Sequence, residues 1–310
     1  MLLTITLNPA MDRVYLVDDF AVNEVFRARQ VTATAGGKGL NVTRVAHLLG
    51  EPVLATGFIG GRVGRFIAEQ VGEQGIADHF TVIREESRIC LAMVDQEQGT
   101  STEVLEAGPT VTVAEAELFL ADYDAMLDRC EVVAASGSLP RGVPVDFYRT
   151  LIGMARAKDR KFILDASGEA LRLGLAGRPY MIKPNEDELV KLLGTRPTHA
   201  GLADALRDLQ KTGIQVPCLT LGKDGCLAAL ADGVYHYQAP LVAVVNAVGS
   251  GDSFVAGCAV ALLRGAEPKE AIRLGMACGV ANTQFVRAGM ISPALVQEYL
   301  ATVKCERVAV

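Results

Sequence analysis

The chain has 310 residues, half of them hydrophobic and 21% charged, and a fold of that size hides roughly 75% of the surface its unfolded chain would expose. Such a composition supports a substantial core and excludes collagen-like, mucin-like and wholly disordered classes. The net charge of −6 offers no overall basic field for nucleic acid or an anionic membrane, so any anion must be bound locally.

The seven cysteines (Cys90, Cys130, Cys218, Cys226, Cys258, Cys278, Cys305) contain no C-x-x-C pair. They point to small buried hydrophobes in a reducing cytoplasm, not to a disulfide framework or a zinc site. The first apolar run lacks a basic segment before it and stops at Asn8-Pro9, so no signal peptide is expected. The longest uncharged stretch, between Asp232 and Asp252, contains His236, Gln238, Pro240 and Asn246, which argues against a membrane span.

Short apolar, β-branched runs alternate with helical patterns, the signature of βαβ units around a mostly parallel sheet. Buried strands are expected at 2–7, 52–58, 131–136, 161–165, 180–182 and 216–221. Helices are expected at about 39–49, 62–74, 113–128, 144–157, 186–193, 200–212, 252–264, 267–286 and 292–302. In the 113–128 segment, Val113, Leu118, Phe119 and Leu127 recur at helical spacing with acidic residues between them. Two stretches, 13–35 and 87–106, read instead as β segments with polar interruptions. They are expected to pair into a small lid over the carboxyl ends of the main strands, where open α/β sheets bind ligands; two ordinary surface hairpins would carry the same letters.

Neither G-x-x-x-x-G-K-[ST] nor G-x-G-x-x-G occurs. The segment 246–254, NAVGSGDSF, ends the uncharged stretch and opens an apolar helix. Backbone N–H groups around Gly249, Ser250 and Gly251, added to a helix N-terminus, form a plausible cradle for phosphoryl charge. Asp252 in the first turn is either a helix-start residue or a general base for an acceptor hydroxyl. At 36–41, GGKGLN sets three glycines before a helix: Lys38 can meet a phosphate and Asn41 can bond hydroxyls, or the run is a turn with a solvated lysine. Arg88 on the second lid segment is either a further phosphate contact or a surface arginine. Asp12 follows the first strand and can accept from sugar hydroxyls, or belongs to a plain turn. Asn185 and Glu188, three apart, suit a hydrated Mg²⁺ or a helix cap. Gly222 to Gly225 either covers a nucleotide phosphate or closes a hairpin.

Taken in order, NPAMD, GGKGLNV, SGSLP, LDASGEAL, KPNEDEL, LGKDG and VGSGDS resemble the PfkB branch of the ribokinase superfamily, from the first strand into the C-terminal helices. Within that branch, TAGGKGLNVTRV, GEPVLATGFIGG, TEVLEAGP and VGSGDS are similar to the tagatose-6-phosphate kinase group, while 1-phosphofructokinases share GGKG. The wider superfamily has alanine where this chain has Ser250, a change that leaves an anion hole of backbone amides intact.

The resemblance implies a single ribokinase-like α/β domain over 1–310, three layers α/β/α, with a β lid that often serves as a dimer contact. It implies Asp252 as base, Gly249 to Asp252 as anion hole, and Asn185 and Glu188 organising Mg²⁺ through water. Asp12, Gly37, Asn41 and Ser138 would hold the sugar, Lys38 and Arg88 its existing phosphate, and Lys183, Asn185, Gly222, Gly225 and Asn282 would lie near ATP. The implied reaction is ATP-dependent phosphorylation of the 1-hydroxyl of a ketohexose 6-phosphate, tagatose 6-phosphate first, in lactose and galactose catabolism. The alternatives are a 1-phosphofructokinase and, more remotely, a non-catalytic sugar-phosphate sensor, against which the retained Asp252 and metal motif speak.

Overall fold

In the computed structural model, residues 1–198 and 201–308 are described. Leucine and valine occupy both faces of the first strands, and the structure shows why. Leu2 packs with Val132 and Ile163 against one helical layer, while their chain neighbours Leu3, Val133 and Phe162 pack against the other. A sheet covered on both sides has no solvent face to alternate toward, so its strands read as continuous apolar runs.

The main sheet has eleven strands. In spatial order from one edge they are Lys304–Arg307, Gly233–Gln238, Cys226–Leu230, Val216–Thr220, Met181–Ile182, Lys161–Asp165, Val132–Ser136, Leu2–Thr6, Val53–Gly60 and Ala77–Asp78, and Thr81–Ile83 also pairs with Val53–Gly60. Pairing is parallel from Val216–Thr220 onward and antiparallel among the four strands at the first edge. The six expected strands are all present within two residues of their expected ends. The antiparallel extension is an addition. CLAAL at 226–230 lacks β-branched residues and KCER at 304–307 is four mostly polar residues, so neither carries the strand pattern.

On one face lie the helices Lys38–Leu48, Ser250–Leu263, Pro268–Asn282 and Pro293–Thr302. On the other lie Val113–Leu127, Phe147–Ala157, Gly168–Gly174, Glu186–Leu193 and Gly201–Lys211. The first residue of the helix expected over 200–212 lies outside the described residues. The helix expected over 267–286 stops four residues early, at Asn282, and the one expected from 144 begins at Phe147. Helix Gly168–Gly174, which starts within LDASGEAL, is too short to show a clear period.

The two lid segments do pair. Ala10–Val17, Gln30–Gly36, Arg88–Asp95 and Thr100–Leu105 form a separate four-stranded sheet, with the first and third strands side by side and parallel. The lid thus begins at Ala10, three residues before its expected start, so Asp12 is a lid residue. All seven cysteines are free thiols and six are buried. Among the described residues no helix is long and apolar enough to cross a membrane.

Candidate active site

Five adjacent parallel strands end on the same side, and the chain leaving each carries a candidate residue. Asn8 and Asp12 follow the first strand, Ser138 follows Val132–Ser136, Asp165 closes Lys161–Asp165, Lys183 and Asn185 follow Met181–Ile182, and Gly222 follows Val216–Thr220. This is the end of an α/β sheet at which ligands gather.

Helix Ser250–Leu263 starts there. Gly249 precedes it in the left-handed region (φ 82°), and a Cβ added to it would come within 2.8 Å of Ala288. No other residue takes that conformation without strain in that space. Asp252, in the first turn, makes no capping bond. Its side chain is only 6% exposed and accepts a hydrogen bond from Asn41 Nδ2 at 2.8 Å. Burial, and then the neighbouring Asp165 carboxylate, push its pKa up to about 6, against the opposing pull of Asn41, Lys38 and Lys183. A buried carboxylate with a pKa near neutrality, at a helix N-terminus, is suited to take a proton.

Asp165 is 1% exposed and neither of its oxygens has a hydrogen-bond partner in the fold. It is flanked by Lys38 Nζ at 3.6 Å and Lys183 Nζ at 3.3 Å. Asp165 chiefly, with Asp252 and Glu188, raises the pKa of Lys38 and keeps it charged. Lys183 also reaches the anion hole, its Nζ lying 3.4 Å from where a Cβ on Gly251 would stand. Lys38 therefore belongs with Asp165 and Lys183, within the field of Asp252, whereas Arg88 donates to the carbonyls of Asn8 and Glu106, both at 3.1 Å. Lys38 and Arg88 thus have different partners in this fold.

On the lid, Ala10 pairs with Arg88 and Asp12 with Cys90, so alternation puts Asp12 and Arg88 on the same face. Burial raises the Asp12 pKa to about 6, and Arg88 and Arg44 oppose the rise. A Cβ on Gly36 would run into the Asp12 carboxylate, and one on Gly39 would lie 2.5 Å from the Ile5 carbonyl. These two glycines allow protein to pack closely on protein. Gly37 (φ 114°) starts helix Lys38–Leu48, and Ser138 is exposed and accepts from Asn8 Nδ2.

Asn185 and Glu188 form a reciprocal capping box: Asn185 Oδ1 accepts from the Glu188 amide at 2.8 Å and Glu188 Oε2 from the Asn185 amide at 2.9 Å. Each keeps lone pairs for a water. Thr220 bridges to Asn185, which brings the Gly222–Gly225 turn beside this helix start. Asn282 is wholly buried, its Oδ1 accepts from Ser253 and from the Gly289 and Met290 amides, and its Nδ2 donates to the Val248 carbonyl. It braces the loop before helix Ser250–Leu263. Three features were missed in the sequence: Asp165, the buried Arg44, and an exposed apolar patch beside the anion hole made by Val244, Val245, Val248 and Val286. The signals for the first and last were an aspartate closing a strand and an apolar run, LVAVV, that joins no strand.

An open, doubly covered α/β sheet with a second small sheet, and a glycine-opened helix start beside a buried carboxylate of raised pKa, has the architecture of a ribokinase-like phosphotransferase. Residues 5–294 match the pfkB family carbohydrate kinases, and the chain belongs to that family. Phosphofructokinase-2 from Escherichia coli in complex with potassium superposes with a TM-score of 0.91 at 25% identity, over 97% of this chain and 98% of that one. A protein described as a possible 1-phosphofructokinase from Thermotoga maritima gives 0.91 at 27% identity, with both chains fully covered. Ribokinase from Arabidopsis thaliana, at 21% identity over 96% of this chain and 98% of that one, shares the fold with a TM-score of 0.77. The chain is a carbohydrate kinase that uses ATP as co-substrate.

Proposed function

We propose that the enzyme transfers the ATP γ-phosphoryl group to the 1-hydroxyl of a ketohexose 6-phosphate, with tagatose 6-phosphate as the preferred acceptor. The observation that carries this reading is Asp252, buried and lifted toward neutrality at the mouth of an anion hole, facing a lid on which Arg88 sits beside Asp12. In this reading Asp252 takes the hydroxyl proton as the sugar oxygen attacks; the new O–P bond forms, the β–γ bridge breaks, and ADP leaves. The amides of Gly249 to Asp252, with Lys183 and Lys38, take up the developing charge. Lys38 thus serves the transferred group, and Arg88 the phosphate already on the sugar. Asp12, Gly37, Asn41 and Ser138 orient the sugar, and Gly222 and Gly225 cover the nucleotide phosphates.

The oxygens of Asn185 and Glu188, each with lone pairs left after the capping box, fit Mg²⁺ held through water. When bound, the metal neutralises phosphate charge. The exposed lid residues Val31, Val104 and Leu105 support a homodimer through the lid, and the free thiols suit a cytoplasmic enzyme.

The likeness to a possible 1-phosphofructokinase supports a second reading, a 1-phosphofructokinase acting on fructose 1-phosphate. The test is kcat/KM for tagatose 6-phosphate, fructose 6-phosphate and fructose 1-phosphate on one preparation. The proposal expects the first to be highest; fructose 1-phosphate highest would favour the second reading.

A further inference from the structure

Arg44 lies on the helix that follows the glycine run and is only 5% exposed. Its guanidinium is spread over four partners, three of them from other parts of the molecule. Nη2 donates to the Ala35 carbonyl in the lid at 2.8 Å and Nε to Gln74 Oε1 at 3.2 Å. Nη1 donates to Asn41 Oδ1 at 3.0 Å and to the Ala288 carbonyl at 3.4 Å, in the loop packed against Gly249. A cation so deeply buried needs such partners, but the bond to Asn41 does more than satisfy it.

An asparagine amide has two nearly isosteric orientations, one offering a donor and the other an acceptor. With Arg44 on Oδ1, Asn41 must turn Nδ2 toward Asp252, where it donates at 2.8 Å. Gly289 leaves room for this arrangement: a Cβ there would lie 2.8 Å from Arg44 Nη1 and 2.9 Å from Asn41 Oδ1. We propose that Arg44 is a positioning residue which, by holding Asn41 in one orientation, keeps a hydrogen-bond donor on the catalytic base and ties that donor to the lid through Ala35.

The inference rests on Asp252 being the base. The groups that set the charge of Asp252 are Asp165, Lys38, Lys183 and Asn41; those facing Arg44 are Arg287 and Asp12. The influence of Arg44 on the base therefore passes through the asparagine. Losing Arg44 frees the amide to turn its oxygen to the carboxylate, and a carboxylate that loses a donor holds its proton to higher pH.

The experiment is the pH profile of kcat for wild type, Arg44→Gln, Asn41→Leu and the double variant, with Arg44→Lys as the variant that keeps the buried charge. Arg44→Gln and Asn41→Leu are each expected to move the acid limb up by about one pH unit, and Arg44→Lys by less. Kcat is expected to fall more than KM for the sugar phosphate rises. In the Asn41→Leu background, Arg44→Gln should shift the limb no further, because the two act in series. An unshifted limb in Arg44→Gln, or equal Arg44→Gln shifts with and without Asn41, overturns the proposal; if Arg44→Gln does not fold, Arg44→Met carries the same two tests. Failure of the base assignment is seen separately, as turnover retained in Asp252→Ala.

Discussion

A carboxylate shut away from water beside a second carboxylate releases its proton late, and Asp252 stands in that position next to Asp165. The folded pKa of about 6 lies above the ordinary aspartate value of 3.8. The stabilising protonated state is therefore complete below about pH 4 and lost as pH rises through about 6. At pH 7.5 the ionised side chain costs the unliganded fold, and Asp252→Asn should raise unfolding stability by about 1–3 kcal/mol. Paired urea titrations at pH 7.5 and 4.5 check this, the gain shrinking at the lower pH. Asp165→Asn removes a charge that raises the Asp252 pKa and frees Lys38 and Lys183 to pull it down. The acid limb of kcat should then move to lower pH, opposite to the shift expected for Arg44→Gln, and steady-state rates between pH 5 and 8 decide the sign.

The parallel strands were legible because burial on both faces forces β-branched and leucine runs, and the lid because its polar interruptions break both periods. The edge strands were not legible, since their pairing depends on neighbours and not on pattern. Among site residues, Asp252 and Lys183 came from helix starts and strand ends, which are local features. Arg44 sits inside NVTRV, where its letter reads as a surface cation; only the packing of the lid, the 287–289 loop and helix Lys38–Leu48 around it gives it a role. Asn282 shows the converse, a polar residue near the site whose hydrogen bonds to the 248 and 289 loops appear only in the fold. At this scale Gly249→Ala should cost about 1–2 kcal/mol from backbone conformation alone, with the contact at Ala288 added. It should lower kcat by displacing the amides while KM for the sugar phosphate changes little; thermal melts and steady-state kinetics check both.

Across the whole molecule, net charge −6 repels anions, while the proposed reaction joins two phosphorylated substrates. Attraction is concentrated where Lys38, Lys183, Arg88 and the amides before helix Ser250–Leu263 converge on one end of the sheet. Because the cations lie on both the lid and the sheet, substrate affinity should fall with ionic strength, and KM at 20 and 300 mM salt measures it. The lid strands also expose Val104 and Leu105; light scattering on Val104→Glu against wild type should show loss of a dimer. The central claim, that Asp252 is the base of a sugar-phosphate kinase, is tested most directly by sugar-phosphate-dependent ADP release from wild type and Asp252→Ala under identical conditions. The account predicts turnover on the order of 10²–10⁴-fold lower in the variant, with sugar-phosphate binding retained; turnover within a few-fold of wild type would contradict it.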